Sequence, residues 1–419
     1  MEKKKITAGF ALLLLCWLVY ACSYIGKVNY AANINQIMEF YHVDHSSAGL
    51  VSTFFFFAYG VGQIVNGLCC KKYNLKWIVF ASLLVSGTVN LIVGVTTNFT
   101  LIKYLWLING FAMSILWPSL IRLLSETLPK KDMAKASVVM GTTVATGTFI
   151  VYGLSALFVK INFRLTFYVA TTVFFIVACV WLIFVSGLVK KSKEEGESEE
   201  NLSSAVKEKE IDKTFCKSAL LLMIITLGVY GVATNLIKDG LTTWIPSILK
   251  EQYQLDSSFS IILTLLLPVV SIFGNAFAVN VHKKIPDYVV QCAVTFLCAG
   301  GIIGVVIGCV SLNQFWLTLI GFALVCFLVS SCNSVITSIF PLFMKGKLNS
   351  GFIAGILNGC CYVGSTIASY GLGEIADNHG WIAVFWVLFA VCAAVCVGAV
   401  IYAFLKKKFT RKTAAQDNA

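Results

Sequence analysis

Charge is scarce in this chain. Of 419 residues only 12% are Asp, Glu, Lys or Arg, while 58% are hydrophobic. A water-soluble domain needs far more polar surface than that, so the soluble classes are excluded. Histidine is scarcer still: His42, His45, His282 and His379 are the four, and all fall between apolar runs. They offer neither a metal cluster nor a proton relay at membrane depth. The fifteen cysteines show no metal-site spacing, and the adjacent pairs Cys69-Cys70 and Cys360-Cys361 read as small buried hydrophobes. A Walker-type Gly-rich loop is missing, which removes ATP as an energy source. No catalytic triad and no paired intramembrane carboxylates are present, so an enzyme, a metal centre and a bound cofactor are not expected.

What fills the chain instead is runs of about 20 apolar residues, each long enough to cross some 30 Å of hydrocarbon as a helix. Hydropathy and loop signals place spans near 9–38, 47–69, 77–96, 99–125, 136–159 and 164–189. A second set follows near 217–249, 257–281, 288–310, 314–343, 349–373 and 380–405. The opening "MEKKK" and the apolar run ending "VYAC" resemble a lipid-attached leader closing at Cys22. The tyrosine before Ala21 spoils that cleavage box, so the run is read as the first span. Between the two sets, "KKSKEEGESEENLSSAVKEKEIDK" holds eight of the twenty acidic residues and reads as a solvated linker. The expected layout is an N-terminal six-helix half (1–189), a linker (190–216), a C-terminal half (217–405) and a basic tail (406–419).

The net charge of +12 does not point to nucleic acid, because of where the cations sit. Short segments on the side of both termini carry eighteen, among them Lys71, Lys72, Lys76, Lys130, Lys131, Lys135, Lys283 and Lys284. The opposite side has four: Lys103, Lys160, Arg164 and Lys250. By the positive-inside bias both termini and the linker are cytoplasmic, in a multi-pass cell-membrane protein whose only large partner is the lipid bilayer. A functional monomer is expected.

Once the loop and linker cations are set aside, Lys27, Arg122 and Lys238 remain inside the spans. A charge there costs a few kcal/mol and usually faces a cavity or a partner. Arg122 has Glu126 four residues on, a spacing suited to a structural or gating ion pair. Around Lys27, helical spacing gathers Tyr20, Ser23, Tyr24 and Tyr30, with Asn29 and Asn33 on the adjacent face. Around Lys238 it gathers Tyr230, Gly231, Thr234, Asn235 and Thr242. Two polar stripes, one per half and each centred on a lysine, suit an anion held between the halves. Asp239 is the one carboxylate deep enough to serve coupling, and it is also a neutralising neighbour for Lys238.

The segment "YIGKVNY" in span one resembles the organophosphate:anion antiporters, the glycerol-3-phosphate and hexose-phosphate carriers of the major facilitator superfamily. "LIKDGLTTWIPSIL" in span seven resembles their second cationic segment, with Trp244 and Pro246 in place. "NGFAMSILWPSLIRLLSE" carries Trp117, Pro118 and Arg122 of span four, and "GILNGCCYVGSTIASYGLGEIADNHGW" is similar to the Gly-rich span eleven and the start of span twelve. The likeness runs from about residue 20 to 390. It implies an all-α membrane protein of twelve helices in two halves, with substrate bound near the midplane between them. It places Lys27 and Lys238 where the family has phosphate-binding arginines, Val144 where it has a histidine in span five, and Lys71 where it has an acidic residue after span two. A lysine binds phosphate as a point charge, without the fork of an arginine. The expected substrate is a small organic anion, a phosphate ester or a carboxylate, moved by alternating access and by exchange. A transporter-like receptor and a proton-coupled symporter are the alternatives. The expected binding residues are Lys27, Lys238, Tyr20, Tyr24, Tyr30, Thr234, Asn235 and Trp117, with Asp239, Arg122 and Glu126 in coupling or gating.

Overall fold

A computed structural model describes residues 7–69, 74–200, 217–344 and 350–417. All regular secondary structure among the described residues is helical. Eleven of the helices are long and apolar enough to cross a membrane: Ala8–Ala32, His45–Asn66, Leu75–Val95, Phe99–Thr127, Val138–Phe158, Leu165–Glu194, Leu220–Tyr253, Ser257–Gly274, Tyr288–Ser311, Phe315–Ile339 and Ile353–Lys408. The last has 56 residues, about 84 Å of helix and nearly three times the thickness of a bilayer core. It turns at Gly380, whose φ of 76° and ψ of 173° lie where only glycine sits without strain. The helix is therefore two spans, and the total is twelve. "HGW" ends one and begins the other.

Two spans depart from their expected form. The sixth continues from Leu165 to Glu200, beyond the expected end at 189, because "KKSKEEGESEE" is made of good helix formers carrying both signs of charge. The first eleven residues of the expected linker are thus a helical extension of the sixth span, and the rest of it lies outside the described residues, as does Lys71. The first span is broken rather than smooth: Ala8–Ser23, Ile25–Ala32 and Ile34–Tyr41 meet at Tyr24 and Asn33. Asn33, with φ −110° and ψ 19°, leaves the helical region there.

Buried amides pin the first half together. Asn29 donates to the side-chain oxygen of Asn90 (2.8 Å) and Asn109 donates to the Gly26 carbonyl (3.0 Å). Asn33 reaches Ser155 and Thr166 at 3.0 and 3.1 Å. In hydrocarbon such bonds replace the hydrophobic effect as the source of specific packing. The halves meet chiefly where span two lies along span eleven. A Cβ on Gly49 would stand 2.0 Å from the Ser369 carbonyl oxygen, so only glycine allows that approach.

The hydrogen bonds and ion pairs that join the halves among the described residues gather toward the end opposite the termini. Lys250 bonds Glu39, Lys160 lies 3.3 Å from Asp256, and Ser247 donates to Asn35 at 2.7 Å. His45 stands between two carboxylates of the other half, Asp377 at 2.6 Å and Glu251 at 2.7 Å. That end of the bundle is closed.

Candidate binding site between the two halves

The break at Tyr24 precedes Lys27 by three residues, and its aromatic neighbours receive the ammonium. Lys27 Nζ lies 4.1 Å from the centre of the Tyr59 ring, 5.0 Å from Tyr24, 5.6 Å from Tyr362 and 5.9 Å from Phe55. Tyr59 and Phe55 come from span two, and Tyr362 comes from span eleven of the other half. Ring faces stabilise a cation by about 0.5–2 kcal/mol each, depending on desolvation. Rings cannot neutralise it, so the charge stays available to an anion. Tyr20 supports this cluster, with its ring 5.6 Å from Tyr24 and 4.7 Å from Trp117.

Tyr30 does not join it. Its hydroxyl donates to the Ala48 carbonyl at 3.0 Å and its ring packs on Trp106, inside the first half. Residue spacing placed it on the lysine face; the amide bonds of neighbouring Asn29 turn that part of the helix toward the core instead. Asn29 and Asn33 are spent on packing for the same reason.

Lys238 has beside it the neutralising neighbour that the sequence offered. Its Nζ lies 3.4 Å from one oxygen of Asp239. The other carboxylate oxygen accepts from Ser365 at 2.5 Å, and Ser365 accepts from Asn235 at 3.1 Å. The Asn235 side-chain oxygen is buried with no hydrogen-bond partner, an uncommon and costly condition. Thr234 is sealed in and bonds back to the Tyr230 carbonyl (2.6 Å), and Tyr230 itself donates to the Val395 carbonyl. Both belong to the packing of the second half.

Span eleven joins the two lysines. Tyr362 lies under Lys27, while Ser365, three residues on and on the same helical face, holds the partner of Lys238. The Asp239 carboxylate also lies within electrostatic reach of Lys27 and Tyr362. Two stripes far apart in sequence therefore face a common turn of a third helix. Tyr59, Phe55, Tyr362 and Ser365 escaped the sequence reading, since nothing in "FFFFAYG" or "GCCYVGS" marks one aromatic above its neighbours.

Arg122 and Glu126 stand elsewhere. Arg122 Nε bonds Glu126 Oε1 at 2.6 Å in a cleft of ≈ 290 Å³ at the terminus end of the first half, beside Asn74, Lys76 and Ser186. Lys76 donates to Ser186 there at 3.0 Å. Val144, the position of the family histidine, is 41% exposed on span five. No cluster of side chains suited to a metal occurs among the described residues.

A twelve-helix bundle in two halves with ionised side chains facing one another between them defines the secondary-carrier fold. The chain belongs to the Major Facilitator Superfamily, whose profile matches residues 16–367. Among curated proteins it is similar to the membrane sensor protein UhpC of Escherichia coli K12, 29% identical over 100 residues. That match covers 24% of this chain and about a quarter (23%) of the sensor's length. Sugar phosphate exchanger 3 of Bos taurus is 21% identical over 402 residues, covering 84% of this chain and 79% of the exchanger. Among solved structures, a bacterial homologue of the human lysosomal transporter Spinster, in an inward-facing and occupied conformation, superposes with a TM-score of 0.67. It is 14% identical and the match covers 97% of this chain and 96% of that one, a likeness of fold.

Proposed function

We propose that this protein is a secondary transporter of a small organic anion, a sugar phosphate or similar phosphate ester, and that it works by exchange. The observation that carries this reading is the convergence of Lys27 and Lys238 on one turn of span eleven, from opposite halves. A ligand bridging those two lysines would touch both halves at once, which is what alternating access requires. Tyr20, Tyr24 and Trp117 would line the first half of the site and Asn235 the second, with its unpartnered oxygen free to accept a sugar hydroxyl. Sugar phosphate exchanger 3, similar over most of both chains, supports the substrate class.

Exchange follows from charge. Lys27 is surrounded by ring faces, and the one carboxylate within its electrostatic reach, Asp239, is bonded to Lys238. One positive charge is thus left over, and carrying it through a closed intermediate is costly. A bound anion removes that cost in each direction. In this reading both termini face the cytoplasm of a monomeric cell-membrane carrier, and the closed end is the outer one. In the same reading the halves are residues 1–189 and 217–405, with Arg122 and Glu126 acting at the inner end as a gate.

The deciding measurement is uptake of labelled glucose 6-phosphate into proteoliposomes. Internal phosphate ester should stimulate entry strongly, while an inward proton gradient across empty vesicles should do little. Gradient-driven accumulation without internal anion would mark a proton symporter instead. The similarity to a membrane sensor favours a second reading, a receptor built on the carrier fold. Binding of the ester with no flux under either condition would select it.

A further inference from the structure

We infer that Asp239 sets the charge of the anion the site accepts, making it a site for singly charged substrates. This rests on the anion reading above and goes beyond it, to the ionisation state of the ligand. Asp239 is held in place from both sides, by Lys238 at 3.4 Å and by the Ser365 hydroxyl at 2.5 Å. It is a fixed part of the site rather than a passing neighbour of the lysine.

Charge is then counted directly. Among the described residues at this level of the bundle, the ionised groups are Lys27, Lys238 and Asp239. The other titratable groups around the carboxylate are Tyr362 on span eleven, the buried thiols Cys326 and Cys361, and, through Lys27, Tyr24 and Tyr59. Phenols and thiols ordinarily ionise above pH 8, so they do not enter the count near neutrality. The site carries one net positive charge. A monoanion cancels it; a dianion leaves one negative charge to be occluded with the substrate, which a low-dielectric intermediate penalises. Without Asp239 the net charge would be two, and the dianion would become the matched ligand.

Phosphate monoesters lose their second proton near pH 6, so both forms are present around neutrality. The singly charged fraction falls from about three quarters at pH 5.5 to about 3% at pH 7.5. Binding of glucose 6-phosphate to the purified full chain in nanodiscs, measured calorimetrically, should therefore weaken about twentyfold over that range. Glucose 6-sulfate, a monoanion throughout, should bind with the same affinity at both pH values, and this separates ligand ionisation from titration of the protein. In Asp239→Asn, which keeps the Ser365 bond, glucose 6-phosphate should bind at least as well at pH 7.5 as at pH 5.5. The double variant K238M/D239N returns the net charge to one and should recover the weakening, which keeps the test sound if the single variant folds poorly. Wild-type affinity for the phosphate ester that is flat or rises with pH would overturn the assignment and leave the anion site standing. Failure of wild type to bind either ester would overturn both.

Discussion

Lys27 illustrates what a single residue can disclose and what it cannot. An ammonium inside an apolar run implies a partner, and its equivalence with Lys238 implies a shared one. The rings that hold it, Tyr59 at 4.1 Å and Tyr362 at 5.6 Å, come from spans two and eleven and carry no mark in the sequence. Their role is decided by rotation and depth of helices that hydropathy does not report. Under the proposed function, Lys27→Met should lower affinity for glucose 6-phosphate by about 2–3 kcal/mol, roughly 30- to 150-fold, the scale of a lost charge-assisted hydrogen bond. Thermal stability should hold, because removing a buried charge also removes its desolvation cost. Tyr30→Phe, by contrast, should leave affinity unchanged and lower stability by about 1 kcal/mol, since its hydroxyl serves the Ala48 carbonyl. Equal affinity losses in both would contradict the division of roles.

Helix ends and close approaches were only partly visible from the chain. Span two begins where Asp44 caps it: a carboxylate oxygen accepts from the Ser47 amide at 2.8 Å and from the Ser46 hydroxyl at 3.1 Å. Bonds from the Ser47 hydroxyl and amide hold the Asp44 carboxyl below its usual range. A folded pKa below the unfolded one means the cap stabilises above the unfolded value and is lost as pH falls through the folded one. Asp44→Ala should cost about 1 kcal/mol at pH 7, and the difference from wild type should shrink as pH falls through the lowered pKa of the folded Asp44, read from melting curves. Farther along the same helix, Gly49 sits against the Ser369 carbonyl, and Gly49→Val should pry span two from span eleven. Helical periodicity shows that glycines share a face. It does not show which helix arrives there.

At the scale of the whole molecule, closure at one end rests on a few polar links. Both ring nitrogens of His45 face carboxylate oxygens, so the bridge is complete only when both carry protons. The ring packs against Trp244 and Trp381, with centroids 5.5 and 5.3 Å away. His45→Phe keeps that packing and removes the links. Spin labels at Thr97 and Leu312, on opposite halves of the closed end, should then show a longer-distance population at least tenfold enriched, since each 1.4 kcal/mol is worth a factor of ten. An unchanged distance distribution would mean that packing alone holds the end shut. The sidedness has its own check: a cysteine at Thr97 should react with an impermeant thiol reagent in intact cells, and one at Lys284 should not. Composition and run length by themselves determined a twelve-span membrane bundle, because hydrocarbon accepts backbone only as closed hydrogen-bonded helices and each must be about 20 residues long. The lysines were legible for the same reason: any charge at that depth stands out. What only the tertiary structure decided is how much of that charge is free. Asp239 could have faced lipid-side packing, Lys27 or its neighbour, and the choice was made by Ser365, which lies 126 residues away and reaches it only when span eleven packs on span seven.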